Sequence, residues 1–353
     1  MIVPPGSVIG IVGGGQLGRM LAIAAAQLGY KCHIFDPAEH PCAADVAARH
    51  TRAAFDDLVA LRAFGAAVDV VTYEFENLPV EALEVLGDKL RPSTRSLAVA
   101  QDRAREKAFI EGCGARVAPW RQISSLADVT AAVLKVGLPL VLKTRRYGYD
   151  GKGQAWVRSR REEQSGWQAI GEEPAIAEAA IDFVAEFSVI VARWADGRHA
   201  FWDSPENEHR EGILRRSTVP CSEACAAQVE EAREAALSIA GALGHVGVLT
   251  VEFFASKSGP LVNEIAPRVH NSGHWTIEGA VTSQFEQHIR AVCGLPPGPT
   301  GLTGPGAVMD NLIGSDVERW PELVAEPGCH VHIYGKGEAR PGRKMGHVTR
   351  IAR

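Results

Sequence analysis

The sequence predicts an α/β head, an α+β body and a small C-terminal piece rich in β-strands. In the head, buried-strand patterns at residues 7–12, 31–36 and 68–73 alternate with helical stretches at about 16–29 and 56–65. Such alternation is typical of a parallel, doubly wound sheet of the Rossmann-like kind. From about Val117 the apolar segments look like successive antiparallel strands. The Gly- and Pro-rich run GLPPGPTGLTGPG reads as a linker into the last part of the chain.

Further elements follow the head along the chain. A helix-rich stretch from Pro79 to about Gly114 ends the head. In the body we expect strands at 136–144, 154–157, 175–181, 185–194, 199–209, 212–219, 246–254 and 260–266, and helices at 221–244 and 274–294.

The composition narrows the class of protein. The 353 residues are 46% hydrophobic and 22% charged, as in a soluble globular protein. A net charge of -5 argues against a nucleic-acid partner. No apolar stretch approaches the roughly 20 residues of a membrane span, so we expect no membrane partner. The N-terminal MIVPPGS lacks the features of a signal peptide, which predicts a cytoplasmic location.

The first strand ends in GGGQLGRM, which matches a dinucleotide fingerprint. Gly13, Gly15 and Gly18 occupy the three glycine positions of G-x-G-x-x-G, and Asp36 ends the next apolar run. This pattern alone predicts an NAD or FAD protein. The same glycines also suit any tight strand-to-helix turn, so the ligand depends on the rest of the chain.

Two neighbouring strands of the body each carry a glutamate. A three-residue loop, Lys257-Ser258-Gly259, would place Glu252 directly opposite Glu264. Like charges in that position repel, and a divalent cation such as Mg²⁺ would resolve the conflict because it prefers carboxylate oxygens. Asn263 and Asn271 could add polar contacts. The alternative is a pair of acids on the outer face of an exposed hairpin.

A lysine-bearing strand followed by a glycine-rich loop suggests phosphate binding. Lys143 precedes RRYGYDGKGQ, in which Gly148, Gly151 and Gly153 allow backbone N–H groups to fold over phosphates. The spacing is not that of a P-loop. A flexible basic hairpin without a ligand is the alternative.

Two further clusters suit anionic ligands. The stretch APRVHNSGHW, directly after Glu264, contains Arg268, His270 and Asn271, together with Ser272 and His274. Near the C-terminus, YGKGEARPGRKMGHV carries Lys336, Arg340, Arg343 and Lys344, which would suit a phosphorylated substrate. A solvated basic turn is the alternative for this second cluster.

Taken together, these motifs resemble the ATP-grasp superfamily. GGGQLGRM, TYEFENLP, DRAREKAF, KTRRYGYDGKGQ, ENEHREGIL, EIAPRVHNSGHWTIEGA and RPGRKMGHV are similar to those of the 5-(carboxyamino)imidazole ribonucleotide synthase family, from Gly6 to about Ile351. The resemblance implies a Rossmann-like (pre-ATP-grasp) domain at 1–114 and a two-lobed ATP-grasp domain at 115–296. It also implies a C-terminal domain at 297–353, and it divides the ATP-grasp domain into lobes at about 115–180 and 181–296.

The resemblance also implies an activity. Enzymes of this family use ATP and bicarbonate to carboxylate 5-aminoimidazole ribonucleotide through carboxyphosphate in purine biosynthesis. It implies Mg²⁺, with Mn²⁺ as an alternative, no NAD or FAD, and a homodimer. Glu252 and Glu264 would then hold the metal.

Individual roles follow from the positions that match family motifs. ATP would contact Arg103, Lys143, Gly148, Tyr149, Asp150, Gly151, Lys152, Gly153, Glu178, Ala179, Ala180, Ile181, Glu186, His209, Asn263 and Glu264. The ribonucleotide would contact Gln16, Leu17, Glu74, Tyr149, Asp150, His270, Lys336 and Arg343. Arg268, His270 and Asn271 would hold bicarbonate and carboxyphosphate, and Asp150 would orient the amine of the ribonucleotide.

Other functions remain open on the sequence. Another ATP-grasp ligase, such as a formate-dependent glycinamide ribonucleotide transformylase or a biotin carboxylase, would keep Lys143, Glu252 and Glu264. An NAD-dependent oxidoreductase would use the first-strand glycines. A regulator that binds nucleotide without turnover would keep the fold.

Overall fold

A four-stranded parallel sheet forms the head in this computed structural model, which describes residues 2–148 and 152–352. Its strands are β1 (Val8–Val12), β2 (Lys31–Phe35), β3 (Arg49–Thr51) and β4 (Val70–Tyr73), in the order β3-β2-β1-β4. Its helices are α1 (Gln16–Gln27), α2 (Leu58–Ala66), α3 (Val80–Leu83), α4 (Thr94–Ala100) and α5 (Arg103–Gly112).

Both faces of this sheet are buried. Ile9 and Ile11 pack into one hydrophobic cluster with α1, whereas Val12 and Phe35 pack into another with Phe64 of α2. Burial on both faces explains the continuous apolar runs of the strands and confirms the predicted doubly wound head.

A four-stranded antiparallel sheet follows, in the order β5-β8-β6-β7. Its elements are β5 (Trp120–Ile123), α6 (Leu126–Val136), β6 (Leu140–Thr144), β7 (Gln154–Val157), α7 (Glu163–Ala169) and β8 (Ala175–Ala179). Helices α6 and α7 cover one face, where Val129 and Trp167 are buried with Leu142. Lys143, the next residue of β6, therefore lies on the opposite face.

The third sheet has nine strands and extends to the C-terminus. It contains β9 (Phe183–Arg193), β10 (His199–Phe201), β11 (Glu206–Arg210), β12 (Ile213–Val219), β13 (Gly247–Ser256), β14 (Gly259–Ala266), β15 (Ala307–Ile313), β16 (Cys329–Ile333) and β17 (Lys344–Ile351). The order is β14-β13-β9-β11-β12-β15-β17-β16, and β10 pairs with β9. Since Ser217 of β12 pairs with Met309 of β15, the C-terminal strands continue the sheet of the preceding lobe.

Helices α8 (Glu223–Ala226), α9 (Val229–Leu243), α10 (Thr276–Gly279), α11 (Gln284–Cys293) and α12 (Trp320–Ala325) complete this part of the chain. None of the helices in the described parts of the chain is long and apolar enough to cross a membrane.

Three predicted elements are interrupted. The predicted strand at 199–209 is split into β10 and β11, and Pro205, which has no N–H for a sheet ladder, lies in the gap. The predicted helix at 274–294 breaks after α10, because Ser283 caps α11 by accepting from the N–H of Glu286. The predicted helix at 221–244 breaks between α8 and α9, and we have no physical account of that break.

Candidate active site

A cavity of about 520 Å³ lies between the two lobes of the body. Most of the predicted nucleotide, metal and anion-binding residues line it: Arg103, Lys143, Gly148, Glu178, Ala179, Ala180, Ile181, Glu186, His209, Glu252, Asn263, Glu264, Arg268, His270 and Asn271. Strands β6 and β8 supply one wall and strands β9, β11, β13 and β14 another, so residues far apart in sequence meet in one chamber.

The two glutamates are paired across β13 and β14. Glu252 lies directly opposite Glu264, as predicted. The predicted three-residue loop is wrong, because Ser256 already pairs with Gly259 and leaves a two-residue loop. A bulge at Asn263 then shifts the register by one residue, which restores the predicted opposition.

Each carboxylate has a separate cationic or hydrogen-bonding partner. Glu252 Oε1 lies 3.0 Å from His270 Nε2, and Glu264 Oε2 accepts from Arg103 Nη1 at 3.1 Å. Burial alone would raise the pKa of Glu252, but the neighbouring His270 and His209 lower it to about 2. Glu252 can therefore stay ionised at neutral pH although it faces Glu264.

The same corner offers oxygen donors for a metal. Asn263 Oδ1 is buried and has no hydrogen-bond partner within the described residues. With the two opposed carboxylates, it forms the oxygen-rich donor set that Mg²⁺ prefers. No cluster of three or more His, Cys, Asp or Glu side chains is placed to hold a metal in residues 2–148 and 152–352. A divalent ion here would therefore need further oxygens from a bound phosphate or water.

Glu178 is neutralised by two lysines of the chain. Its carboxylate forms ion pairs with Lys107 and, at 2.5 Å, with Lys143. Burial opposes ionisation of Glu178, but the two ammonium groups lower its pKa to about 2. Lys107 Nζ also donates to the carbonyl oxygen of Asn263 at 2.9 Å and so links the wall containing β8 to β14. The Glu178 side chain is thus engaged by groups of the chain itself.

Apolar side chains line one end of the cavity. Val141, Trp156, Ile181, Phe183 and Phe254 are among them. The rings of Phe183 and Phe254 are stacked, with centroids 4.7 Å apart. Flat apolar surfaces of this kind suit an aromatic base.

The glycine-rich loop is described only at its two ends. Gly148 lines the cavity and its carbonyl oxygen accepts from Arg103 Nη2 at 3.3 Å. Gly153 has a φ of +68°, and a Cβ there would lie 2.4 Å from Thr144 Oγ1, so the position requires glycine. Lys152 immediately precedes it. The predicted contacts at Tyr149, Asp150 and Gly151 lie outside the described residues.

Each residue of the anion cluster is held by a different part of the chain. Arg268 Nε donates to Glu76 Oε2 of the head at 2.5 Å. His270 Nδ1 lies 2.9 Å from Ser272 Oγ. Asn271 exchanges two hydrogen bonds with a buried asparagine of β15.

The glycine turn of the head is occupied by a carboxylate of the chain itself. Glu74 accepts from the N–H of Gly15 at 2.6 Å and from that of Gly18 at 2.8 Å. Asp36 accepts from Gly14 at 2.7 Å, where a dinucleotide enzyme would use this acid for a ribose. A pyrophosphate cannot accept from the same N–H groups while Glu74 accepts from them. The glycine fingerprint here therefore indicates a Rossmann-like fold and not a dinucleotide ligand.

Of the described residues predicted to contact the ribonucleotide, His270 lines the cavity, whereas Gln16, Leu17, Glu74, Lys336 and Arg343 lie outside its lining. Lys336 interacts electrostatically with Glu74 and Arg343, and burial lowers its pKa. Gln16 begins α1 beside the glycine turn, whereas the Leu17 side chain is only 7% exposed and packs in the core. The Leu17 side chain is therefore not placed to contact a ligand.

Sequence reasoning missed several residues that line or support the cavity. Glu76, Glu106 and Arg145 line it, and Lys107 lies behind it. Lys344, which the sequence placed in a basic cluster suited to a phosphorylated substrate, also lines the cavity. Burial and the nearby Glu264 raise the pKa of Glu106 to about 8. Lys107 and Glu106 belong to the DRAREKAF motif, from which Arg103 was predicted. That motif could also have indicated these two residues.

Three domain families match consecutive parts of the chain. An ATP-grasp domain matches residues 108–285, a ribonucleotide synthetase preATP-grasp domain matches 7–101, and a phosphoribosylaminoimidazole carboxylase C-terminal domain matches 307–353. An N5-carboxyaminoimidazole ribonucleotide synthase of Brucella melitensis is 50% identical, covering 98% of this chain and 97% of the relative. The chain belongs to the N5-carboxyaminoimidazole ribonucleotide synthase family. It is an ATP-grasp ligase, as the sequence motifs indicated.

Solved structures of the family share the whole fold. The N5-carboxyaminoimidazole synthetase of Staphylococcus aureus complexed with ADP has a TM-score of 0.94 and 38% identity, covering 99% of this chain and 94% of that one. The synthase of Aspergillus clavatus in complex with ADP and 5-aminoimidazole ribonucleotide has a TM-score of 0.91 and 30% identity, covering 98% and 94%.

Proposed function

We propose that this chain carboxylates 5-aminoimidazole ribonucleotide with ATP and bicarbonate, through carboxyphosphate, in purine biosynthesis. The products are N5-carboxyaminoimidazole ribonucleotide, ADP and phosphate. One observation carries the proposal: Lys143 and the opposed glutamates share a single cavity with Arg268, His270 and Asn271. A phosphoryl donor and a small anion can therefore meet there. Family membership supports the identity of the substrates.

ATP would occupy the cavity with its base at the apolar end. The adenine would lie near Phe183 and Phe254, with the backbone of Glu178 to Ile181 at its edge. Glu186 and His209, which lie 2.8 Å apart, would face the ribose. Arg103, Lys143 and the loop ending at Gly148 and Gly153 would hold the phosphates, because phosphoryl transfer requires mainly positioning and charge stabilisation.

Glu252, Glu264 and Asn263 would hold Mg²⁺, or Mn²⁺, which when bound neutralises charge on the phosphate oxygens. Lys143 would add a fixed positive charge, and Glu178 would keep it in place through their 2.5 Å ion pair. The observed partners His270 and Arg103 are then available to move toward the anionic reactants.

The first chemical step joins bicarbonate to the γ-phosphoryl group. A bicarbonate oxygen attacks phosphorus, the bond to ADP breaks, and carboxyphosphate forms. Arg268 and Asn271 would orient the bicarbonate, and His270 would hold or accept its proton. Exclusion of water protects carboxyphosphate, which hydrolyses readily.

The second step transfers the carboxyl group to the ribonucleotide. The 5-amino nitrogen attacks the carboxyl carbon, or the CO₂ released from it, and phosphate leaves as the amine loses a proton. Lys336 and Arg343 would bind the substrate phosphate, while Gln16, Leu17 and Glu74 would line the head side. Tyr149 and Asp150 are retained from the family resemblance, with Asp150 orienting the amine.

Substrate omission tests this function. The purified protein is given ATP, Mg²⁺, bicarbonate and 5-aminoimidazole ribonucleotide, and ADP and carboxylated product are measured with each component omitted in turn. We expect product only with the complete mixture. Product formation that depends on formate or biotin would overturn the substrate assignment, and ADP release indifferent to the ribonucleotide would do the same.

The homodimer, the cytoplasmic location and the domain limits near residues 114 and 296 stay predictions. Sedimentation velocity tests the homodimer, and a monomer at micromolar concentration would contradict it.

A further inference from the structure

The amide of Asn271 is held by a second amide from the C-terminal strands. Asn271 Nδ2 donates to Asn311 Oδ1 at 2.9 Å, and Asn311 Nδ2 donates to Asn271 Oδ1 at 2.7 Å. Asn311 lies on β15 and is only 5% exposed. The two residues are forty positions apart in sequence, so this pair exists only in the folded chain.

A third contact determines which way both amides point. Asn311 Nδ2 also donates to the carbonyl oxygen of Leu214 at 2.9 Å. A carbonyl oxygen only accepts, so the nitrogen of Asn311 must lie on that side. Rotating the Asn271 amide by 180° would then bring nitrogen against nitrogen and oxygen against oxygen. Leu214 therefore sets the orientation of Asn311, and Asn311 sets that of Asn271.

The arrangement leaves a defined donor for a ligand. An asparagine amide has two N–H donors, and the pair with Asn311 uses one of those on Asn271. Asn271 lines the cavity beside His270 and Lys344. The second N–H of Asn271 belongs to an amide that is already held in one orientation, so an anion bound to it in the cavity would require little reorganisation.

From this geometry we infer that Asn311 is a positioning residue for the carboxylation reaction. It fixes the amide of Asn271 so that an N–H, and not a carbonyl oxygen, faces bicarbonate and carboxyphosphate. The C-terminal strands thereby take part in anion recognition without touching the anion. This inference rests on the proposed function, specifically on Asn271 as an anion-binding residue.

The test compares Asn311→Ala, Asn271→Ala and the double variant. Without Asn311 the Asn271 amide can rotate and present its oxygen, so the KM for bicarbonate in degassed buffer should rise about tenfold, as expected for one lost hydrogen bond to the anion. The KM for ATP should stay unchanged. More ADP should form per carboxylated product, because loosely held carboxyphosphate hydrolyses.

The double variant separates positioning from a general structural role. If Asn311 acts through Asn271, adding Asn311→Ala to Asn271→Ala should change the bicarbonate KM by less than about twofold. Gln287→Ala is the matched control, since Gln287 is a buried amide that exchanges two hydrogen bonds with Gly298, at 2.7 and 2.9 Å, away from the cavity. It should lower the melting temperature and leave every KM unchanged. If Asn311→Ala does not fold, Asn311→Leu replaces it, because its branched side chain fills the space of the amide without making the amide's hydrogen bonds.

Two contrary results are distinguishable. A wild-type bicarbonate KM and normal coupling in Asn271→Ala would overturn the anion-binding role of Asn271 in the proposed function. An impaired Asn271→Ala combined with a wild-type Asn311→Ala, or with fully additive effects in the double variant, would overturn only the positioning role of Asn311.

Discussion

Glu178 and its partner Lys107 form a deeply buried ion pair next to the cavity. Lys107 is 1% exposed and Glu178 is 3% exposed. Charges this deep are tolerated only when they are paired, and removal of one partner leaves the other uncompensated. The motif DRAREKAF therefore supplies a structural cation, Lys107, as well as Arg103 at the cavity wall.

We expect Lys107→Met to destabilise the protein by about 3 kcal/mol or more, because Glu178 loses one of its two buried partners. Urea unfolding at neutral pH measures this. Arg116→Met is the control: Arg116 pairs with Glu231 on the surface, where the side chains are 43% and 58% exposed, and the loss should stay below about 1 kcal/mol. Equal losses in the two variants would contradict the buried-pair argument.

Glu264→Gln should reduce ADP formation more than about a hundredfold, because an amide cannot replace the negative charge that a divalent cation needs. The fold should persist, since the Glu264 side chain is 41% exposed. Steady-state ADP release and circular dichroism measure the two effects. Glu231→Gln, on the surface beside Arg116, should behave like the wild type. Near-normal turnover in Glu264→Gln would refute the metal role.

The hairpin of β13 and β14 shows, at the scale of elements, what sequence reasoning could and could not determine. The register of a three-residue loop predicted that Glu252 and Glu264 face each other, and their opposition is confirmed. The loop length and the bulge at Asn263 were not predictable, since each depends on packing against β9 and α5. The two errors offset each other, so the correct pairing came from an incorrect turn.

Helix α1 begins without a side-chain cap from its own sequence. Glu74, which follows β4, takes this place by binding the N–H groups of Gly15 and Gly18. A carboxylate at a helix N-terminus also interacts favourably with the helix dipole. Glycine is thus needed in this turn because the Glu74 carboxylate lies against its backbone.

Gly15→Ala should therefore disturb the head. A Cβ there would lie 2.5 Å from Glu74 Oε1, so the carboxylate must move and lose hydrogen bonds, at a cost of about 1–2 kcal/mol. The KM for the ribonucleotide should rise while that for ATP stays constant, because ATP is assigned to the cavity between the two lobes of the body, away from the glycine turn. Gly112→Ala, which meets no atom within 4 Å, is the control and should be neutral or slightly stabilising. Equal effects of the two substitutions on stability and KM would contradict this account.

At the scale of the whole molecule, four histidines are fully buried in surroundings that oppose their protonation. His245, His274, His288 and His347 are at most 1% exposed. Burial lowers the pKa of His245 to about 4 and that of His288 to about 3, and it lowers the other two as well. The unfolded chain binds these protons near pH 6.5, before the folded chain does.

Stability should consequently fall as the pH drops from about 6.5 toward 4. Each such histidine contributes a slope of about 1.4 kcal/mol per pH unit while only the unfolded state is protonated. In urea unfolding between pH 7 and 4, the free energy of unfolding should fall steeply as the pH drops. In His288→Gln this dependence on pH should be weaker by the contribution of one histidine. His40→Gln, at a 90% exposed side chain, should keep the wild-type slope. An unchanged slope in His288→Gln would contradict the assignment.

Local sequence patterns were enough to predict the division into an α/β head and an α+β body. They also predicted most of the residues that line the cavity. These residues occur in short motifs, and the motifs were visible without the fold. Lys107 and Asn311 were missed because their roles depend on partners far along the chain. Asn311, for example, contacts Leu214 and Asn271, which lie on different elements. No pattern within β15 distinguishes such an asparagine from one that faces solvent.

The nine-stranded sheet has a consequence for the order in which the molecule is made. Strand β12 leaves the ribosome long before β15, which pairs with it, and β17 comes last. Until then the nascent chain exposes the unpaired edge of β12, a surface prone to association with other strands. Lys344 and Asn311 also arrive only with these strands. A chain stopped at residue 306 would therefore expose an aggregation-prone strand edge and would lack residues of the active site. Synthesis of the last strands thus completes both the sheet and the site.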